Sequence, residues 1–367
     1  MYCPVMPEIS VAAIRLRQQG IAPHRFSAPT DVVRWMGAMQ AQDYHQVVWA
    51  SGARTADGTL TQVEKAIAAG HILRTWTQRG TIHAVAADDA AWMVALSSAR
   101  MIASSARRLK ELELDGAAID RCGEVCQTAL AGRQIMPRSA LLQRVEDIGI
   151  STVAQRGYHI LAQLGWRGLI CIGPMSGKEQ TFVLLDEWAR NRRMLSRTES
   201  LVELARRYFT SHGPATVHDF AWWAGQTLTD VRAGLEGAKP SLTSDTHRGT
   251  EYWLAADAAA ASMPCVSLLA GFDEYLLGYT DRSPVLKSHR MAHVCPGGNG
   301  VFFPVMVVDG QIAGTWKRVV TKQKVTITCR PFGRVTRARM EAFEAAAAEY
   351  GRFLRLPAAL MVLTPPA

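Results

Sequence analysis

The sequence predicts an α+β protein, mainly helical, with three tandem winged helix-turn-helix motifs, a C-terminal antiparallel β-ribbon or sheet region and a final helix. Three observations carry this. Helix, helix and a two-stranded hairpin recur in that order three times along the 367 residues. After Pro264 the texture changes to short apolar strands with a strong hairpin signal at Asp309-Gly310. The net charge of +9 is also confined: Arg282 to Arg339 holds eleven Lys or Arg against one acid, Asp309, so this segment carries +10 and the rest of the chain −1.

The first unit, 1–128, opens with helical spacing over Ile9 to Gln19 and Asp31 to Met39, the second capped at Pro29-Thr30-Asp31. A third helix, Thr61 to Ala69, stops at Gly70, and Ile72 to Trp76 with Thr81 to Val85 form a hairpin around Gln78-Arg79-Gly80. The second unit, 129–194, has helices at Pro137 to Asp147 and Thr152 to Leu164, then a hairpin of Gly168 to Ile172 and Thr181 to Leu185. In the third, 195–258, helices at Glu199 to His212, Val217 to Ala224 and Leu228 to Glu236 precede a hairpin of Ser241 to Thr246 and Glu251 to Leu254. In such a motif the second helix can lie in a DNA groove. The last region, 259–367, holds a strand at Val266 to Leu269, a loop with a short helix from Gly271 to Arg282, three antiparallel strands between Gly300 and Arg330, and a helix from Thr336 to Leu354. Lys317, Arg318, Lys322 and Lys324 gather around the tip of the last ribbon. A basic ribbon of this kind suits a nucleic-acid groove, because neutralised phosphates release counterions whatever the base sequence.

Composition narrows the class. With 48% apolar and 20% charged residues the chain is expected to be compact. No run approaches the roughly 18 to 20 apolar residues of a membrane helix, and the start, Met1-Tyr2-Cys3-Pro4, lacks a leader pattern, so a cytoplasmic, nucleoid-associated monomer is expected. Seven scattered cysteines without a C-x-x-C pair read as reduced packing residues.

The central candidates are Gln40 and Gln42, just past the second helix. Gln has no proton that titrates near neutral pH, so two of them can orient a water by hydrogen bonds but cannot act as a strong base. At i and i+2 they share a face only where the backbone is extended or turned. Asp43, Asp273, Glu274 and Asp281 are the ionisable candidates for activating water, with Tyr44, Tyr275 and Tyr279 as neighbours. Asp273 and Asp281 read equally well as a turn cap and an arginine partner. Arg79, His83 and Arg282 are candidate phosphate contacts, though His83 reads equally well as a satisfied hairpin histidine. Ser176-Gly177-Lys178-Glu179 is not a phosphate loop, since Glu179 stands where Ser or Thr must meet magnesium. His289, His293 and Cys295 lack a fourth zinc ligand. No metal or cofactor is called for, and the common hydrolase signatures are missing.

Five stretches taken together resemble a known family: Gln40-Ala-Gln42-Asp43, the run from Arg74 to His83, Gly213 to Trp223, Phe272 to Arg282, and Asn299-Gly300 through Gly314-Thr-Trp316. In this order they resemble the bacterial winged-helix DNA glycosylases, the AlkZ-like and YcaQ-like family, over nearly the whole chain. The resemblance implies that Gln40 and Gln42 are the Q-x-Q pair that positions the hydrolytic water, and that the partner is double-stranded DNA carrying alkylated guanine. Gln78 departs from the Met of many relatives. The implied reaction is monofunctional hydrolysis of the N-glycosidic bond of N7-alkylated guanine, in bulky natural-product adducts or interstrand crosslinks, which serves repair or self-resistance to an alkylating antibiotic. No lysine nucleophile stands out for a lyase step. The competing readings are a winged-helix transcriptional regulator without chemistry and a structural nucleoid protein, for both of which the glutamines would be idle.

Overall fold

The computed structural model describes residues 10–189, 191–247 and 249–364; the expected helix start at Ile9 and the residue Cys3 lie outside them. The first helix runs Val11–Gln18, capped by Ser10. The second is Pro29–Met36, ending three residues earlier than the sequence pattern suggests. Gly37 ends it at φ 79° and ψ −63°, a conformation open to glycine at little cost. The chain reverses there and enters a two-residue strand, β1 (Met39–Gln40).

The hairpin expected next is present as β2 (Ile72–Thr77) and β3 (Thr81–Ala86). Short β4 (Met136–Pro137) precedes the second hairpin, β5 (Ile170–Ile172) and β6 (Thr181–Leu184). These six strands form one sheet in the order β1-β3-β2-β5-β6-β4, with Arg74 of β2 opposite Ile172 of β5. The first two hairpins therefore share a sheet that crosses the boundary expected at 128/129. Helices Ala90–Glu111 and Gly116–Leu130 lie between them, and Cys122 and Cys126 of the latter are buried packing residues.

Helix Arg197–His212 begins with a capping box of Ser196 and Glu199, and Val217–Ala224 with one of Thr216 and Asp219. Leu228–Ala238 and the hairpin β7 (Leu242–His247) and β8 (Thr250–Ala255) complete the third repeat. The C-terminal sheet contains β9 (Val266–Leu269), β10 (Val305–Val308), β11 (Gln311–Val320), β12 (Val325–Pro331) and β13 (Ala358–Val362), ordered β13-β12-β11-β10-β9. The edge strand β13 was not expected; it runs parallel to β12 after the helix Arg337–Leu354.

One detail of register positions the site. Thr315 of β11 faces Val305 at the start of β10, and Val305 also faces Leu269 at the end of β9. Beyond that line Lys317 to Val320 continue with β12 alone. The free basic ribbon and the segment leaving β9 toward Glu274 therefore emerge from the same end of the sheet.

Candidate active site

Gln40 sits on a backbone held from three sides. The Ala41 N–H donates to the Ile82 carbonyl at 2.8 Å, and the Ala41 carbonyl accepts from Arg74 Nη2 at 3.0 Å. Gln40 faces His83 across β1 and β3 in a pair without mutual backbone bonds, so its own N–H points out of the sheet. That N–H donates to Glu274 Oε1 at 2.9 Å. Asp43 fixes the far side by capping helix Tyr44–Gly52, where it accepts from the Gln46 N–H at 3.2 Å.

Extended backbone places the two amides on one face, as their spacing requires. Gln40 Nε2 donates to Gln42 Oε1 at 2.9 Å, and Gln40 Oε1 accepts from the Thr81 hydroxyl at 3.1 Å. Gln40 is half-buried and Gln42 exposed. One N–H of Gln40, both of Gln42 and a lone pair on Gln42 Oε1 stay available, enough to orient a water from several directions. Tyr44 adds no base: burial and then the Glu64 charge push its hydroxyl up to about 12. Arg74 lies 5.1 Å from its ring centroid, and burial brings that guanidinium down to about 10, so it stays cationic at neutral pH.

Of the two readings of His83, its burial favours the hairpin histidine over the phosphate contact. The side chain is fully buried and out of reach of a phosphate. Burial first, and then the Arg79 charge, bring its imidazole down to about 3, against the pull of Glu274. The ring is therefore neutral, with Nδ1–H donating to the Thr81 carbonyl at 3.0 Å. Because this value lies below the 6.5 of an unfolded histidine, the unfolded chain binds the extra proton between the two. The stabilisation is complete above about pH 6.5 and is lost as pH falls toward 3. Urea titrations should show about 2 kcal/mol less stability at pH 5 than at pH 8 from this residue. His83→Asn should shrink that difference, and an unchanged pH slope would contradict the assignment.

The loop from Phe272 to Arg282 carries the other candidates, and Asp273 caps its short helix Glu274–Leu277. Asp273 is buried and makes a two-pronged ion pair with Arg54, at 2.8 and 2.9 Å, and caps the Tyr275 N–H. The hydroxyl of Tyr275 donates to the Gly310 carbonyl and that of Tyr279 to the His212 carbonyl, both fully buried. Exposed Asp281 turns the chain by accepting from the Ser283 N–H. Each of these carboxylates and hydroxyls is engaged with the frame, and none of the four bonds to either glutamine directly. Glu274 is the member of this loop that reaches the site. Burial would raise its carboxyl, but His212, the Gln40 N–H and the Arg79 charge outweigh that and hold it below the usual range.

The Gly213–Trp223 and Phe272–Arg282 motifs interlock, which explains their joint appearance. Buried Asp219 accepts from the Thr280 N–H and hydroxyl, both at 2.8 Å, and from the Asp281 N–H; Trp223 Nε1 donates to Glu274 Oε2 at 2.9 Å. Arg79 is tied to the helix end below: its Nη1 donates to the Trp222 and Trp223 carbonyls, and its guanidinium lies 4.4 Å from the Trp222 ring centroid. Arg282 donates from Nε to the Leu276 carbonyl and also lies over Trp222 and Phe302. Both arginines thus brace the frame first. Lys317, Lys322 and Lys324 are exposed on the free ribbon, and Arg318 lies half-buried over Tyr350. Sequence reasoning gave no role to Arg74 or Thr81; a charged residue inside an otherwise apolar strand was the available signal for Arg74.

A family model described as DNA glycosylase AlkZ-like matches residues 33–353. A relative from Streptomyces sahachiroi, described as an interstrand DNA cross-link repair glycosylase, is 26% identical over 360 residues, covering 93% of this chain and 95% of its own length. The solved structure of Streptomyces sahachiroi DNA glycosylase AlkZ is similar with a TM-score of 0.78 at 25% identity, over 96% of this chain and 98% of that one. These matches define a hydrolase of N-glycosyl bonds that acts in DNA repair. The chain belongs to the AlkZ-like DNA glycosylase family. The reading as a regulator without chemistry falls with that. Among the described residues no helix is long and apolar enough to cross a membrane.

Proposed function

We propose that this glycosylase hydrolyses the N-glycosidic bond of N7-alkylated guanine in duplex DNA, using a water held by Gln40 and Gln42. The observation that carries this is the mutual hydrogen bond of the two amides, fixed on a braced strand, in place of a general base. Amides can orient water without deprotonating it, so the leaving base must already be activated. N7-alkylguanine is cationic. When its C1′–N9 bond breaks, the electron pair returns to N9 and the base leaves neutral, while the water oxygen bonds C1′ and releases its proton to solvent. Undamaged guanine would leave as an anion and is spared. The product is an abasic site, with no lyase step.

The Streptomyces relative's description, interstrand DNA cross-link repair, supports crosslinks as one substrate; bulky natural-product adducts and a role in self-resistance belong to the same reading. In this reading the three helix-and-hairpin repeats, 1–128, 129–194 and 195–258, are winged units, the first two sharing a sheet. The region 259–367 then supplies a DNA-binding hairpin through Lys317, Arg318, Lys322 and Lys324. The protein works as a monomer at the nucleoid in the cytoplasm.

The test is incubation with duplex DNA carrying one N7-alkylguanine. Free alkylguanine should appear in solution, and the strand should break at the adduct only after hot alkali. Breakage without alkali would refute the monofunctional assignment, and intact DNA would refute the substrate.

A further inference from the structure

We infer that Glu274 is the positioning residue of the glutamine pair: its carboxylate closes the open edge of β1 and holds Gln40 extended, so that its amide reaches Gln42. The inference rests on the reading that the pair holds the hydrolytic water. Strand β1 has two residues and one neighbour, β3. A strand that short has almost no ladder of its own to fix it. Its free edge presents the Gln40 N–H, and among the described residues no further strand takes it.

Glu274 occupies that place. Oε1 accepts from the Gln40 N–H at 2.9 Å and Oε2 from Trp223 Nε1 at 2.9 Å, while His212 Nε2 lies 3.5 Å from the carboxylate. Two donors converge from opposite sides, and a carboxylate offers an acceptor to each, which a glutamine amide does not. Glu274 is itself 1% exposed and begins the short helix Glu274–Leu277, whose cap, Asp273, is clamped by Arg54. A line of fixed groups therefore runs from Arg54 through Asp273 and Glu274 to the backbone of Gln40. An ionised side chain buried this deeply is costly to desolvate, and apolar residues would pack the same volume more cheaply. What they would not supply is an acceptor at the edge of β1.

The experiment is a double-mutant cycle on the full chain, with duplex DNA carrying one N7-alkylguanine and single-turnover rates corrected for spontaneous base loss. Glu274→Ala should slow excision about a hundredfold, the scale on which small misplacements act. Its Kd for the lesion duplex should stay within about twofold, since Glu274 meets no DNA. In a Gln40→Ala background the same change should cost less than about threefold, because the group it positions is gone. Hydrogen exchange should report faster opening of the Gln40 amide. Glu274→Gln keeps the volume, and should show the same non-additivity if the alanine variant does not fold. Multiplicative losses, or a loss in affinity instead of rate, would overturn the inference. A Gln40→Ala variant as fast as wild type would instead overturn the reading beneath it.

Discussion

Gln40→Ala and Gln42→Ala should each slow excision of N7-alkylguanine by about 10² to 10³-fold, the usual loss when one preorganised hydrogen-bonding group is removed from a transition state. The effect should fall on the single-turnover rate, with the Kd for lesion DNA within about twofold of wild type, because neither amide contributes to the basic ribbon. The double variant should be little worse than either single one. In the proposed mechanism both amides serve one water, and once one is gone the other no longer defines an attack direction. The rate should also be flat across the neutral range. Three groups beside the pair keep their charge state there: Tyr44 is pushed up to about 12, His83 down to about 3, and Glu274, which accepts from the Gln40 N–H, stays an anion held below the usual range. Equal rates for wild type and both variants would remove the glutamines from the mechanism, and a bell-shaped profile would point to a base elsewhere.

The features legible in the sequence were the ones written in local pattern. The Q-x-Q spacing already demanded an extended or turned backbone, and β1 provides it. The hairpin turns at Gln78-Arg79-Gly80 and Asp309-Gly310 were visible because turn chemistry is local. What the sequence hid was set by long-range pairing. Helical spacing carries through Gly37 to Met39, and only the pairing of Met39 and Gln40 with Ala84 and His83 shows that those residues belong to a strand. In the same way Asp273 and Glu274 are neighbouring acids whose fates diverge. One meets Arg54, 219 residues away, and the other the Gln40 backbone, 234 residues away. Periodicity cannot separate them. A histidine flanking a turn beside an arginine reads equally as a phosphate contact or a hairpin residue; its complete burial near Arg79 and Glu274 decides for the second.

Asp273→Ala should destabilise the protein by about 3–5 kcal/mol, the cost of leaving a buried charge without its partner. The Arg54 side chain is fully buried and all its donors are engaged: Nε with the Gln19 carbonyl, Nη1 with the Ala50 carbonyl and Asp273 Oδ2, and Nη2 with Gln19 Oε1 and Asp273 Oδ1. Removing the carboxylate strands a guanidinium that water cannot reach, whereas removing both charges does not. Arg54→Met with Asp273→Leu should therefore be more stable than Asp273→Ala alone, as apolar replacements of buried ion pairs often are. Urea denaturation of the three proteins measures this directly, and a midpoint for Asp273→Ala equal to wild type would contradict it. The double variant also separates fold from chemistry. It restores packing around residue 54 but not the cap that Asp273 places on the turn before Glu274, so its stability should recover further than its excision rate.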